Sequence, residues 1–281
     1  MSSPSLFVIG LVLSAAFLHA VWNAIVKGSS DRLLALAMVN LGHILVGVVL
    51  VALYAPPVRE AWGFIVASTF IHFFYYGFLL MAYRLGDFSQ VYPIARGVAP
   101  VLVALGAWVF AGEVLPPLAW VAIVIISGAI AAQAFARRRV DINTGAVAAA
   151  LLTGFTIAAY SVADGLGVRA SGSALGYIGW LFVLEGFSII ALFWLGRARV
   201  RSLPVRSWLI GISGGLLSSL AYGLAIYAKS LTTLGSVSAI RETSVIMAAL
   251  IGIIWFGERP WKLRIASAMI VVAGIILLAF A

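Results

Sequence analysis

The sequence predicts an all-α integral membrane protein with ten transmembrane helices, arranged as two inverted five-helix repeats. Of the 281 residues, 64% are hydrophobic and only 10% are charged, too few to keep the surface of a soluble domain of this length in water. The hydrophobic residues fall into runs long enough to cross a bilayer, and the second half of the chain repeats landmarks of the first. Lipid is therefore the expected solvent.

Ten segments qualify as spanning helices. A spanning helix needs about 20 mostly apolar residues. The connectors between the segments are short, and none of them is long enough for a soluble domain. The first segment has no basic region before it, so we interpret it as a retained helix rather than a cleaved signal. The predicted helices are 5–27, 33–54, 62–85, 91–112, 117–136, 144–165, 173–196, 208–228, 235–257 and 262–281.

The chain repeats itself at a spacing of 145 or 146 residues. The matched pairs are Gly112-Glu113 with Gly257-Glu258, Arg96 with Arg241, and Tyr76-Gly77 with Tyr222-Gly223. Their order through successive helices predicts two five-helix repeats, residues 1–140 and 141–281, within one transmembrane unit. Because five is odd, the second repeat enters the membrane from the opposite side. An inverted repeat is typical of alternating-access transporters.

Basic residues predict the orientation. Call the side that carries the N-terminus the near side. Its loops are expected to hold three basic residues and the other side thirteen, so both termini are predicted outside and the basic loops in the cytoplasm. The near-side residues are Arg59, Arg169 and Lys229. The others are Lys27, Arg32, Arg84, Arg137, Arg138, Arg139, Arg197, Arg199, Arg201, Arg206, Arg259, Lys262 and Arg264.

Polar residues inside a bilayer are costly and mark candidate sites. In the first helix His19, Trp22 and Asn23 share one face, which suits either a substrate cavity or interhelical hydrogen bonds. Tyr76 and Tyr222 belong to aromatic stripes, which usually form core packing or an interface belt, but their presence in both repeats favours a place in the cavity.

Two arginines are the strongest candidates for functional residues inside the membrane. Arg96 and Arg241 lie about five or six residues inside their helices, which the inversion would place near opposite membrane faces. They could serve as gates or substrate-carboxylate contacts, or they could extend to the nearest interface. Glu242 follows Arg241 and lies deeper. Glu185 lies at the centre of the seventh helix, near the repeat equivalent of His43, either as a proton-coupling site or as a neutral carboxyl bonded to a neighbouring helix.

Three stretches resemble the drug/metabolite transporter superfamily, specifically its ten-helix EamA-type transporters. They are FLHAVWNAIVK at 17–27, YPIARGVAPVLVALGAWVFAGE at 92–113 and IRETSVIMAALIGIIWFGE at 240–258. The resemblance implies a bacterial inner-membrane exporter of amino acids, aromatic ones among them, or other metabolites. It also implies a central cavity lined by helices 1, 3, 4, 6, 8 and 9, where His19, Tyr76, Arg96, Tyr160, Tyr222 and Arg241 fall. Tyr92 lies in the second of these stretches and joins the predicted cavity.

This chain departs from the resemblance at two places. Val245 stands where the first repeat has Pro100, and Gly97 and Ala99 precede that proline where aromatic exporters carry aromatic residues. Those residues speak against an aromatic amino acid as the main substrate. We therefore expect export of amino acids or similar small metabolites by alternating access, with other drugs or metabolites as the alternative.

Other classes of protein have weaker support. Gly211-Ile212-Ser213-Gly214 matches the GxSG pattern of intramembrane serine proteases, but all three histidines precede it, whereas such enzymes use a later one. A non-transporting receptor also remains open. The net charge of +9 is explained by basic cytoplasmic loops rather than by nucleic-acid binding. There is no cysteine, HExxH or Walker A motif. We expect a monomer in a lipid bilayer with no enzymatic activity, cofactor or metal, whose partner is its small-molecule substrate.

Overall fold

The computed structural model describes residues 4–27, 32–135, 143–186, 194, 204–256 and 261–281. Across these ranges the chain is helical apart from its connectors, and they contain no strand. Five helical segments are long and apolar enough to cross a membrane: Leu6–Ile25, Arg59–Leu85, Gln90–Ala111, Thr144–Ala170 and Val205–Leu231. The chain is an all-α integral membrane protein, as predicted.

The helices follow the predicted order. If α9 and α10 are counted as one interrupted helix, the described ranges contain ten. They are α1 (Leu6–Lys27), α2 (Arg32–Leu53), α3 (Trp62–Leu85), α4 (Phe88–Ala111), α5 (Pro117–Ala132), α6 (Thr144–Ala170), α7 (Ala174–Glu185), α8 (Val205–Leu231), α9 (Leu234–Arg241), α10 (Thr243–Phe256) and α11 (Trp261–Ala279).

Two boundaries differ from the prediction. α6 continues to Ala170 instead of ending at 165, because Asp164 and Arg169 find partners inside the protein. The predicted helix 235–257 is interrupted at Glu242. The rest of the predicted segment 173–196 beyond Gly186, apart from Trp194, lies outside the described residues, as do the arginines at 137–139, 197, 199 and 201, and Gly257-Glu258.

The two halves of the chain interlock. α3 packs along α6, and α8 packs along α1. α4 also packs on α6, and α10 packs on α1. α2 contacts α7, and α5 contacts α11. Numbered within each half, the third and fourth helices of one half therefore meet the first helix of the other, so the middle of the molecule is built from both halves.

The molecule exposes large apolar side chains and buries charged ones within a largely apolar core. Large aromatic side chains such as Phe70, Phe74 and Phe110 are exposed on its surface, whereas arginine, glutamate and histidine side chains are buried within it. A water-soluble protein shows the reverse distribution. The exposed aromatic surface suits acyl chains, and the interior supplies the polar groups of a candidate site.

Candidate functional site

Polar side chains from both halves meet in the interior, and we call this group the central polar cluster. It draws on α2, α3, α4, α6, α7, α8, α9 and the interruption after α9. Most of its members are buried, so the centre is closed to solvent in this conformation. Its residues are His43, His72, Tyr76, Arg96, Tyr160, Asp164, Glu185, Tyr222, Arg241 and Glu242.

Arg96 forms an ion pair across the two halves. Its Nη2 lies 2.8 Å from Oε1 of Glu242 and donates to the hydroxyl of Ser244 at 3.4 Å. Arg96 is only 5% exposed, so it does not extend to the membrane interface as one interpretation of the sequence allowed. Pro100, four residues later, has no N–H to bond the carbonyl of Arg96. The ion pair thus joins α4, at the turn where Pro100 removes a helical hydrogen bond, to the break between α9 and α10.

Arg241 belongs to the same cluster. Its guanidinium carbon lies 5.7 Å from the ring centroid of Tyr222, and the side chain is 8% exposed. The sequence placed the two arginines near opposite membrane faces. The structure instead joins them through Glu242, which follows Arg241 in the chain and binds Arg96. The break between α9 and α10, which periodicity did not reveal, allows this arrangement.

Glu185 contacts two histidines from the first half. Its Oε2 lies 3.4 Å from Nδ1 of His43, and its Oε1 lies 3.2 Å from Nδ1 of His72. His43 also lies 3.1 Å from the hydroxyl of Ser218 through its Nε2. The sequence put Glu185 near the repeat equivalent of His43 but gave no sign that His72 also contacts Glu185.

Tyrosines bind a third buried carboxylate of the cluster, Asp164, which the sequence analysis missed. The hydroxyl of Tyr177 donates to its Oδ1 at 3.3 Å, and the hydroxyl of Tyr222 donates to its Oδ2. Lys229 was counted as a loop residue but is buried in α8, where its Nζ donates to the carbonyl of Ser161 at 3.1 Å. A carboxylate in an apolar helix was a usable signal, but the predicted end at 165 made Asp164 look terminal.

The remaining predicted cavity residues are partly exposed. On α1, Trp22 donates to His19 Nδ1 at 3.3 Å and Asn23 donates to the carbonyl of His19 at 2.7 Å, so these bonds stay within the helix. His19 and Tyr92 nonetheless lie within electrostatic reach of both Arg96 and Arg241.

The aromatic members connect the parts of the cluster. Tyr76 donates to Oδ1 of Asn40 at 3.0 Å. Tyr160 stacks on His72 with the ring centroids 4.1 Å apart, and it meets Tyr222 edge to face at 6.0 Å. Tyr76, Tyr160 and Tyr222 therefore lie in the cluster, whereas the bonds of Trp22 and Asn23 stay within α1.

The Gly112-Glu113 motif closes one end of the bundle. Gly112 adopts a positive φ of 64° that ends α4, and the chain then turns so that both carboxylate oxygens of Glu113 accept from the amide of Leu234 at the start of α9. Glu113 also binds Arg169 at 2.7 Å, and Arg169 donates to the carbonyls of Lys229 and Thr232 at the end of α8. We call this arrangement the end clamp.

Within the described part of the chain, Ser213 of the GxSG pattern has no histidine partner. Ser213 is exposed, and its hydroxyl donates to the carbonyl of Ile210 one turn earlier at 2.9 Å. The three histidines have other partners: His43 and His72 contact the carboxylate of Glu185, and His19 accepts a hydrogen bond from Trp22. The pattern is explained by helix packing in a glycine-rich chain.

Comparisons with known proteins agree with this architecture. The sequence model of the EamA-like transporter family matches residues 144–280. No curated protein matches the chain. The crystal structure of another protein has the same fold, with a TM-score of 0.72 at 15% identity over 96% of this chain and 95% of that one. The chain is a multi-span membrane transporter of small molecules, and its residues 144–280 belong to the EamA-like transporter family.

Proposed function

We propose that this protein is a secondary transporter that exports amino acids or similar small zwitterions by alternating access. One observation carries the proposal. Among the described residues, Arg96 Nε, Arg241 Nε and Glu242 Oε2 are buried and have no hydrogen-bond partner. Buried polar atoms of this kind are costly, so their concentration at one place favours a ligand that binds there.

The charges suit a zwitterion. A guanidinium binds a carboxylate through two parallel hydrogen bonds, which assigns the substrate carboxylate to Arg96 and Arg241. Glu242, now paired with Arg96, would then be free to accept from the substrate ammonium. Tyr92 and Tyr160 add aromatic surface for a variable side chain. Arg96 and Glu242 neutralise each other in this conformation. When the substrate binds, its carboxylate and ammonium therefore replace the contacts of this ion pair, so no unpaired charge is buried in the empty site.

The arrangement of the two halves supports alternating access. Corresponding helices make corresponding contacts, α3 with α6 and α8 with α1, around a cluster to which both halves contribute. Inverted repeats around a central site are how many secondary transporters generate two related conformations. We propose a monomer in the bacterial inner membrane, working without ATP hydrolysis by this chain.

Transport by purified protein tests the proposal. Proteoliposomes would be given labelled alanine, leucine, phenylalanine and threonine one at a time. We expect exchange of at least one amino acid, inhibited by other zwitterions and not by the matching amines or carboxylic acids alone. Flux of amines but not of zwitterions would show that the substrate class is wrong. Absence of exchange across the panel would do the same.

A further inference from the structure

The Glu185 carboxylate is bound by histidines of the other half. Glu185 lies on α7, His43 on α2 and His72 on α3, so its two ion-pair contacts both cross between the halves. Glu185 is only 1% exposed. A second contact through Ser218 ties His43 to α8. Relative motion of the halves must therefore change the surroundings of this carboxylate.

We propose that Glu185, together with His43 and His72, is the proton-binding site that couples export of the substrate to the proton gradient. This inference rests on the proposed function, since it needs a transported substrate to couple to. In one cycle a proton from outside binds this group as the substrate is released outside. The proton then leaves to the cytoplasm, and the next substrate binds. Only an O–H or N–H bond forms and breaks.

The other ionisable groups around Glu185 come from every helix packed against α7. They are His43 from α2, His72 and Tyr76 from α3, Tyr160 and Asp164 from α6, and Tyr222 from α8, with Tyr177 on α7 itself. Asp164 already accepts from two tyrosine hydroxyls. In contrast, Oε1 of Glu185 has no hydrogen bond within the described part of the chain, and lies only in ion-pair contact with His72. Of these two carboxylates, Glu185 is thus the one with an oxygen that can take a proton.

Shared aromatic rings link the proton group to the arginines. Tyr222 stacks against His43, with centroids 6.4 Å apart, and its ring centroid also lies 5.7 Å from the guanidinium carbon of Arg241. Tyr160 stacks on His72 and touches Tyr222. A substrate carboxylate that draws Arg241 away from Tyr222 therefore disturbs the packing of both histidines. Such a contact gives the differential interaction that coupling requires.

The alternative is a neutral carboxyl that only holds helices together. A structural role predicts no change of protonation in the working range of pH. The two interpretations can be separated without any substrate, because a protonated carboxyl has its own infrared C=O stretch. We expect that band to grow as purified protein is taken from about pH 8 to about pH 5.

The band should be lost in Glu185→Gln and kept in Glu60→Gln, a matched change at an exposed connector residue. Identical pH-difference spectra for the parent and Glu185→Gln would overturn the proposal. If Glu185→Gln does not fold, His72→Gln replaces it. We then expect the midpoint of the band to shift because a contacting group is gone, and an unchanged midpoint would overturn the proposal equally.

Transport completes the test. In proteoliposomes, Glu185→Gln should still exchange labelled amino acid at equal pH but lose accumulation driven by an imposed pH gradient. Glu60→Gln should keep both. Gradient-driven accumulation that survives in Glu185→Gln would overturn the proton site while leaving the proposed function intact. A titrating Glu185 band together with no amino-acid exchange in the parent would instead show that the proposed substrate class is wrong.

Discussion

At the scale of single residues, the charged interior is explained by pairing. Arg96 and Glu242 are each nearly inaccessible, and their ion pair makes a buried position tolerable for both. The guanidinium of Arg241 lies over the ring of Tyr222, and the carboxylate of Glu185 contacts the imidazoles of His43 and His72. Each charged group in the cluster therefore has a named partner on another helix, which is how a low-dielectric interior keeps ionisable groups.

Removing one member of the pair should cost stability. Arg96→Ala leaves Glu242 buried without its cation, and breaking such a pair costs about 3–5 kcal/mol. We expect a lower thermal unfolding midpoint in detergent and loss of amino-acid exchange. The double change Arg96→Ala with Glu242→Gln should recover part of the stability and none of the transport. Equal destabilisation by the single and double changes would show that the pair is not what holds this position together.

At the scale of helices, glycine decides how closely α2 and α8 approach. A Cβ built on Gly42 would lie 2.4 Å from the backbone of Gly215, a contact that real Cβ atoms do not make. Small residues at such crossings allow backbones to pack directly in membrane proteins. The crossing matters for the site because α2 carries His43 and α8 carries Tyr222.

An alanine at this crossing should be destabilising. Gly42→Ala forces α2 and α8 apart, and overpacking of this kind costs about 1–3 kcal/mol. Gly128→Ala is the matched control, because its Cβ would meet nothing within 4 Å. Unfolding in detergent should show a loss of stability for Gly42→Ala and none for Gly128→Ala. Equal behaviour of the two variants would contradict the close contact.

The end clamp explains why a glycine and a glutamate follow α4. Gly112 turns the chain, Glu113 caps α9, and Arg169 binds both Glu113 and the last carbonyls of α8. Four helix ends are thereby held by one ion pair. The clamp and the central cluster are separate, so their effects can be measured separately.

Arg169→Ala should loosen this end of the bundle. It leaves the Glu113 carboxylate buried without its cation, at a cost of several kcal/mol. The chain has no native cysteine, so Thr232→Cys can report on the clamp through a membrane-impermeant maleimide. We expect faster labelling in the Arg169→Ala background. Arg59→Ala, at an exposed position, should leave the labelling rate unchanged, and unchanged rates in both backgrounds would show that the clamp does not control access.

At the scale of the whole molecule, the distribution of basic residues predicts the orientation. Lys229 is buried in α8 and does not belong to the near-side loops, and Arg169 is held by the end clamp. Arg59 is the near-side basic residue that remains exposed on a connector. With Lys229 removed from the near-side loops, the excess of basic residues that the sequence predicts on the other side still favours cytoplasmic basic loops.

We predict that both termini face the periplasm. A fluorescent protein that matures only in the cytoplasm should stay dark when fused after Ala281, while alkaline phosphatase at the same place should be active. The fluorescent protein inserted after Arg138 should be bright. A bright C-terminal fusion would reverse the orientation and leave the fold unaffected.

The sequence by itself determined the class of the fold. The energetics of the bilayer require apolar runs long enough to span it, and such runs can be recognised in the sequence alone. The helix order and most helix ends were predictable for the same reason. Sequence also singled out Arg96, Arg241, Glu242, Glu185 and the tyrosines, because a polar residue in an apolar run is conspicuous wherever its partner lies.

Tertiary structure decided which of these residues meet. The ion pair between Arg96 and Glu242, and the contacts of Glu185 with His43 and His72, join positions more than a hundred residues apart. Their geometry depends on how α4 packs on α9 and how α7 packs on α2 and α3, which is set by tertiary packing and not by any local pattern. Asp164 and Lys229 were misjudged for this reason, since a buried charge is recognised by its partner and the partner lies on another helix.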